Sequence, residues 1–141
     1  MNGASGDMGK SVSAIVVESG RVLLTWRDSD GERRLTLPGG PACPGESPED
    51  TLARYVKAQT GLDVRAMTLA GFHFGLKSWN AAFNCQLLGG TLNADSQYLS
   101  VDEALRRKDL GELTRLMLAG HERALEKDEI FEMKNAGSLY L

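Results

Sequence analysis

Between Ser47 and Gly61 the chain carries a full set of start and stop signals for one helix, flanked on both sides by strand-like runs. Ser47 offers a capping hydroxyl, Pro48 suits the first helical position, where a missing N–H costs nothing, and Asp50 follows the cap by three residues. Gly61 ends the run. Ahead of the helix, "SVSAIVVESG" and "RVLLTWR" are β-rich runs separated by Ser19-Gly20, a two-residue break of the kind that closes a hairpin. "RRLTLP" is a third short extended run, stopped at Pro38, whose ring also pushes Leu37 toward extended backbone. Three strands are expected before the helix.

After the helix, "LDVRAMTLAGFHFG" and "NAAFNCQLLGG" are two further β-type runs that pair across the "LKSW" turn. "YLSVDEALRR" leads into a helix, and "LGELTRLMLAGHERALEK" places Leu113, Leu116, Met117 and His121 or Ala124 at helical spacing. The order β-rich, helix, β-rich, helix implies an α+β or mixed sandwich and excludes a doubly wound parallel sheet. At 141 residues the chain builds a single core. The reading is a flexible N-terminal arm over residues 1–10, one domain over 11–126 and a C-terminal tail over 127–141.

A net charge of −3 lacks the basic excess that a nucleic-acid backbone demands, so no nucleic-acid partner is expected. No apolar run approaches the roughly 20 residues of a membrane span, and "MNGASGDMGK" has no apolar core after its start, so neither a membrane nor a signal peptide is expected. Cys43 and Cys85 stand far apart, at neither metal nor disulfide-framework spacing, which fits two thiols in a cytoplasmic protein. Ala4 to Ser11, "ASGDMGKS", satisfies a loose phosphate-loop pattern. That chemistry needs a strand before it and a helix after it, and here the segment runs straight into a β-type stretch, so the pattern is rejected.

Gly40, five residues, Glu46, seven residues, Arg54, and finally Gly61-Leu62 together resemble the signature box of the Nudix hydrolase family. The flanking "SAIVVESGRVLLTWR", "LPGGPACPGES" and "YLSVDEALRR" resemble the family's opening strand pair, its loop and its later aromatic-turn-helix segment, over roughly residues 12–126. The resemblance implies the Nudix fold, a mixed β-sheet sandwiched between α-helices. It also implies that Glu46 and Arg54 brace loop against helix. The family's remaining box glutamates would fall at positions 55, 58 and 59, on one helical face, where they converge on divalent cations that neutralise a pyrophosphate and activate water. Here those positions hold Tyr55, Ala58 and Gln59. Two of them cannot act as a carboxylate and the third offers one neutral carbonyl oxygen.

The chain is therefore read as a diverged member of that family, a pseudoenzyme with a degenerate box that lacks standard metal-dependent pyrophosphohydrolase activity and binds a nucleotide-like or anionic ligand, with no cofactor. Gly39, Gly40, Arg54 and Lys57 are the expected ligand-binding residues, since loss of the acids leaves Arg54 and Lys57 less opposed. An alternative is an active hydrolase of a nucleoside diphosphate linked to another moiety, using Mg2+ or Mn2+ held by Glu46 and Asp95. A third is a protein-interaction module with a vestigial cleft. Trp26, Phe72, Phe74, Trp79 and Phe83 are candidates for stacking on a base or for the core, and His73 and His121 stand alone, without a nucleophile or second histidine at a diagnostic spacing. The resemblance also allows a homodimer.

Overall fold

The computed structural model describes residues 9–29 and 31–120. Most of the expected N-terminal arm, the whole expected tail, and His121 and Ala124 lie outside the described residues. Strands β1 (Lys10–Glu18) and β2 (Arg21–Ser29) form the expected hairpin, with Val17 opposite Val22 and Glu18 opposite Arg21. Ser19 (φ 52°) and Gly20 (φ 76°) both turn left-handed, as a two-residue loop matched to the strand twist requires. Strand β3 (Glu32–Thr36) pairs with β2, and helix α1 (Pro48–Thr60) begins at Ser47, whose Oγ accepts from the Asp50 N–H at 3.1 Å. Gly61 (φ 83°) ends the helix, donating its N–H to Lys57 O.

A fourth strand, β4 (Gly39–Pro41), precedes the helix and pairs with β1. Two glycines and a proline give no side-chain alternation to betray it. Strands β5 (Leu62–Phe74) and β6 (Trp79–Gly90) form the expected antiparallel pair, and β6 runs parallel to β1. Strand β7 (Ser96–Ser100) pairs with β2 and leads through the Ser100 cap into the short helix α2 (Val101–Leu105). The main order is β3-β2-β1-β6-β5, with β4 beside β1 and β7 beside β2. This is the expected mixed sheet between helices.

Each face of the sheet has its own core. Leu52 and Val56 of α1 pack with Val12, Ala14, Val16, Leu23, Leu62 and Val64 on one face. Burying those two side chains of α1 contributes about 4 kcal/mol. The other face packs Ile15, Val22, Leu24, Leu35 and Leu37 under α2 and a third helix, α3 (residues 112–120). The expected inner stripe of α3 needs correction. Met117 is buried, but Leu113 (40% exposed) and Leu116 (51%) face outward, and the buried positions of the helix are Thr114, Met117 and Leu118, with Leu110 buried just ahead of it. The buried Thr114 hydroxyl accepts the Leu37 N–H at 2.9 Å, and Gly111 N donates to Leu35 O, so two polar contacts at the helix start set its rotation. No helix among the described residues is long and apolar enough to cross a membrane.

Candidate functional site

The loop of residues 42–47 and the start of α1 are tied by the expected brace. Arg54 donates to both oxygens of Glu46, from Nη2 at 3.0 Å and Nε at 3.3 Å, and the Thr51 hydroxyl donates to Glu46 Oε1 at 2.7 Å. These hydrogen bonds, that from Arg54 foremost, hold the Glu46 carboxyl at about 2, well below the usual 4.5. Arg54 Nη2 also reaches Cys43 Sγ at 2.9 Å. Its guanidinium lies 4.8 Å from the Tyr55 ring centroid. Cys85, on β6, is a different thiol: burial pushes it up to about 12.

Of the three positions where the family pattern has glutamates, two are occupied by groups with other work. Tyr55 donates its hydroxyl to Pro41 O at 2.7 Å, and its ring covers Gly40 so closely that a Cβ there would lie 2.7 Å from Tyr55 Cζ. Gln59 spends both ends of its amide on Gly39: its Nε2 donates to Gly39 O at 2.7 Å, and Gly39 N donates to its Oε1 at 3.0 Å. A Cβ on Gly39 would lie 2.1 Å from Val12 O, so β4 is clamped between β1 and α1. Ala58 is exposed and carries no donor.

This donor set does not fit a divalent cation, which takes several convergent carboxylate or carbonyl oxygens. Among the described residues no three His, Cys, Asp or Glu side chains come together. Glu46 is held by Arg54 and Thr51 beside the helix start, whereas Asp95 pairs with Arg33 at 3.3 Å. The next residue, Ser96, donates to Gln59 O at the helix's other end. The two acids of the metal-bound alternative are therefore engaged separately, Glu46 with Arg54 and Thr51 and Asp95 with Arg33.

A cleft of about 1160 Å3 lies between the sheet, the residue 42–44 loop and the start of α3. Its floor carries Ser11, Ser13 and Asn80, and its rim carries Lys10, Arg27, Arg34, Asp28, Glu32 and Glu112. Arg27 and Arg34 lie directly opposite each other on β2 and β3, so they share a face. Arg34 is already paired with Glu32. Arg27 is half-buried and has no carboxylate within ion-pair distance among the described residues. Burial pushes its guanidinium below its ordinary range, with nearby Tyr55 acting the other way.

Of the four expected ligand residues, Gly40 alone lines the cleft. Gly39 is closed by Gln59, Arg54 by Glu46 and Cys43, and Lys57 by Asp63 at 3.2 Å near the far end of α1. Of the aromatic candidates, Trp26 lies between the guanidinium groups of Arg33 and Arg107, and Phe83 packs against the core under α1. Phe72 is exposed, stacked on Phe74 and edge-on to Trp79. Phe74 and Trp79 line a smaller recess of about 240 Å3 that adjoins the cleft and also holds His73. Sequence reasoning missed Arg27, Arg34 and Asn80. Arg27 and Arg34 sit beside other charged strand residues, Asp28 and Arg33, and Asn80 carries no spacing signal, so their placement on the cleft is legible only once the register is known.

A family model described as NUDIX domain matches residues 8–118. Among solved structures, the fold is similar to a NUDIX hydrolase from Nitrosomonas europaea (TM-score 0.69, 19% identity, 82% of this chain and 89% of that one). It is also similar to an ADP-ribose pyrophosphatase from Streptococcus suis (0.65, 24%, 82% and 90%) and to a MutT protein from Methanosarcina mazei (0.64, 23%, 82% and 93%). No curated protein sequence matches the chain.

Proposed function

The chain belongs to the Nudix family, and from that premise we propose that it binds a nucleotide-like, phosphate-bearing ligand in the cleft with its own cations, without the metal-dependent pyrophosphohydrolase chemistry of the family. The observation that carries this reading is the commitment of Tyr55 and Gln59 to the backbone of β4: the helix face that would gather a cation is spent holding the sheet. Arg27 supplies what the metal does elsewhere. A half-buried guanidinium with no carboxylate partner among the described residues gains more from an anion than a solvated one does, and its fork of donors suits a phosphate. Lys10 on the same rim adds a second cation.

The test is thermal melting of the protein with adenosine diphosphate or inorganic pyrophosphate in chelator, beside a separate titration with Mg2+ or Mn2+. Ligand at a hundredfold excess over Kd stabilises by about 2.7 kcal/mol, and the metal titration leaves the melt unmoved. Hydrolysis of a nucleoside diphosphate derivative at an ordinary rate, abolished by chelator, overturns the reading in favour of the active hydrolase. That second reading is favoured by the intact Glu46–Arg54 brace and by neighbours named as an ADP-ribose pyrophosphatase and a UDP-X diphosphatase. Silence toward ligand and metal alike favours an interaction module.

A further inference from the structure

Strand β5 is an edge of the main sheet, in the order β3-β2-β1-β6-β5, and the core under α1 takes side chains only from its first half. Leu62 and Val64 are buried there, whereas Leu69 and Phe72 are each 48% exposed and Phe74 is 77% exposed. The register sets these side chains on one face. Leu69 lies opposite Phe83, Phe72 opposite Ala81 and Phe74 opposite Trp79. Phe83 packs in the core under α1, so Leu69, Phe72, Phe74 and Trp79 continue that face beyond the area the helix covers. His73 and Asn80, opposite each other, take the alternate positions and point to the other side of the sheet.

The rings of this face are already organised. Phe72 stacks on Phe74 and meets Trp79 edge-on, each at 5.9 Å between centroids, so little side-chain freedom is left to lose on association. Leu76, fully exposed in the turn between the strands, extends the apolar surface. In a chain where 25% of residues are charged, residues 66–90 carry one charged side chain, Lys77, and no proline. The edge of β5 therefore lacks the charges and prolines that usually guard one. It is irregular instead: Met67 and Ala70 are extra residues in the pairing with β6, and two such bulges interrupt the ladder a further strand would need. The side-chain face is the part that remains open to a partner.

We propose that this face packs against the same face of a second copy of the chain, as a two-fold symmetric contact of sheet on sheet. Around a two-fold axis the same patch meets itself, so a charge at its centre would meet a like charge, and a face without charge is what that symmetry needs. A charged partner of another kind would find nothing here to pair with. Leu69, Phe72, Phe74, Leu76 and Trp79 expose on the order of 500 Å2 of side chain, judged from the area such groups bury. Two copies then bury about 1,000 Å2 from these residues alone, the lower bound of a specific interface, before the surrounding backbone adds its share. The inference is independent of the ligand reading above.

The experiment is sedimentation equilibrium of the full chain from about 1 to 100 μM, the range in which an interface at the low end of specific size dissociates. The expected result is a mass that rises from one chain to two, with the dimer dissociation constant raised at least tenfold by Phe74→Asp and raised also by Leu76→Asp. Leu116→Asp, on α3 across the sheet, leaves it unchanged. A single-chain mass throughout overturns the proposal and gives the face to another occupant. Masses beyond two chains overturn the two-fold contact. A dimer indifferent to Phe74→Asp and Leu76→Asp, or weakened equally by Leu116→Asp, overturns the choice of face. Circular dichroism of each variant separates lost pairing from lost fold, and Leu76→Asp, in an exposed turn, keeps the face testable if Phe74→Asp misfolds.

Discussion

The exposed face of α1 and the floor of the cleft lie on two sides of the same short strand, β4, and they differ in how their polar groups are used. On the helix, four polar side chains are engaged within the protein: Tyr55 on Pro41, Gln59 on Gly39, Arg54 on Glu46, Lys57 on Asp63. On the cleft side, Arg27 is half-buried without a carboxylate among the described residues, and Asn80 keeps a buried oxygen unsatisfied. A surface that satisfies itself adds stability and leaves little for a ligand. A surface that carries desolvated, unspent groups bears a cost that ligand contacts relieve. On the function proposed above, the ligand is met by the strands facing the box helix and not by the helix itself.

Five perturbations break or sharpen that contrast, in order of expected size. Installing the family's acids together, Tyr55→Glu, Ala58→Glu and Gln59→Glu, removes the two side-chain donors to Pro41 O and Gly39 O and sets carboxylates against those carbonyls of β4. Denaturant unfolding without metal should register a loss on the order of 3 kcal/mol, and Mg2+ should raise the melting temperature of this variant and not of the unaltered protein. No response to Mg2+ would mean that the loop geometry has also left the metal-binding arrangement. Gln59→Ala alone strands the Gly39 N–H and C=O, and should lower unfolding stability by about 2 kcal/mol with pyrophosphate affinity unchanged.

Arg27→Gln should do the reverse, weakening pyrophosphate at least tenfold, about 1.4 kcal/mol, in calorimetry while barely moving the melt. Tyr55→Phe keeps the ring over Gly40 and deletes one hydrogen bond, for a loss of about 1 kcal/mol in the same unfolding assay. The smallest effect lies in pH dependence. Glu46 is held at about 2 against an ordinary 4.5, so the stability it adds is present above about 4.5 and is lost as pH falls toward 2. Melting curves across that window should be flatter for Glu46→Gln than for the unaltered protein, and equal slopes would remove the brace from the account.

Much of the frame was readable from local chemistry. Ser47, Pro48, Asp50 and Gly61 delimit the helix within a residue of the observed ends, and Ser19-Gly20 announces the first hairpin, because caps and two-residue turns are settled by atoms a few residues apart. The pairing of Glu46 with Arg54 followed from the family resemblance and is seen at 3.0 Å. Strand β4 was invisible, since Gly-Gly-Pro has no alternation to read and its existence depends on β1 lying beside it. In the α3 stripe Met117 was placed correctly but Leu113 and Leu116 were not, because they satisfy helical spacing as well as Thr114, Met117 and Leu118 do. The Thr114 to Leu37 hydrogen bond, 77 residues away in sequence, decides between them.

Sequence alone determined that this chain would make a mixed sheet with a capped helix across it, and that the helix would lack the carboxylates of its family. Both follow from residue types at short spacings. Only the tertiary structure decided what the replacements do and where unspent chemistry remains. Gln59 and Tyr55 look like losses until β4 is laid against them, and Asn80 looks like an ordinary strand residue until Ser11 and His73 stand on either side. Hydrogen-bond satisfaction is a property of neighbours in space, and these neighbours come from strands tens of residues apart.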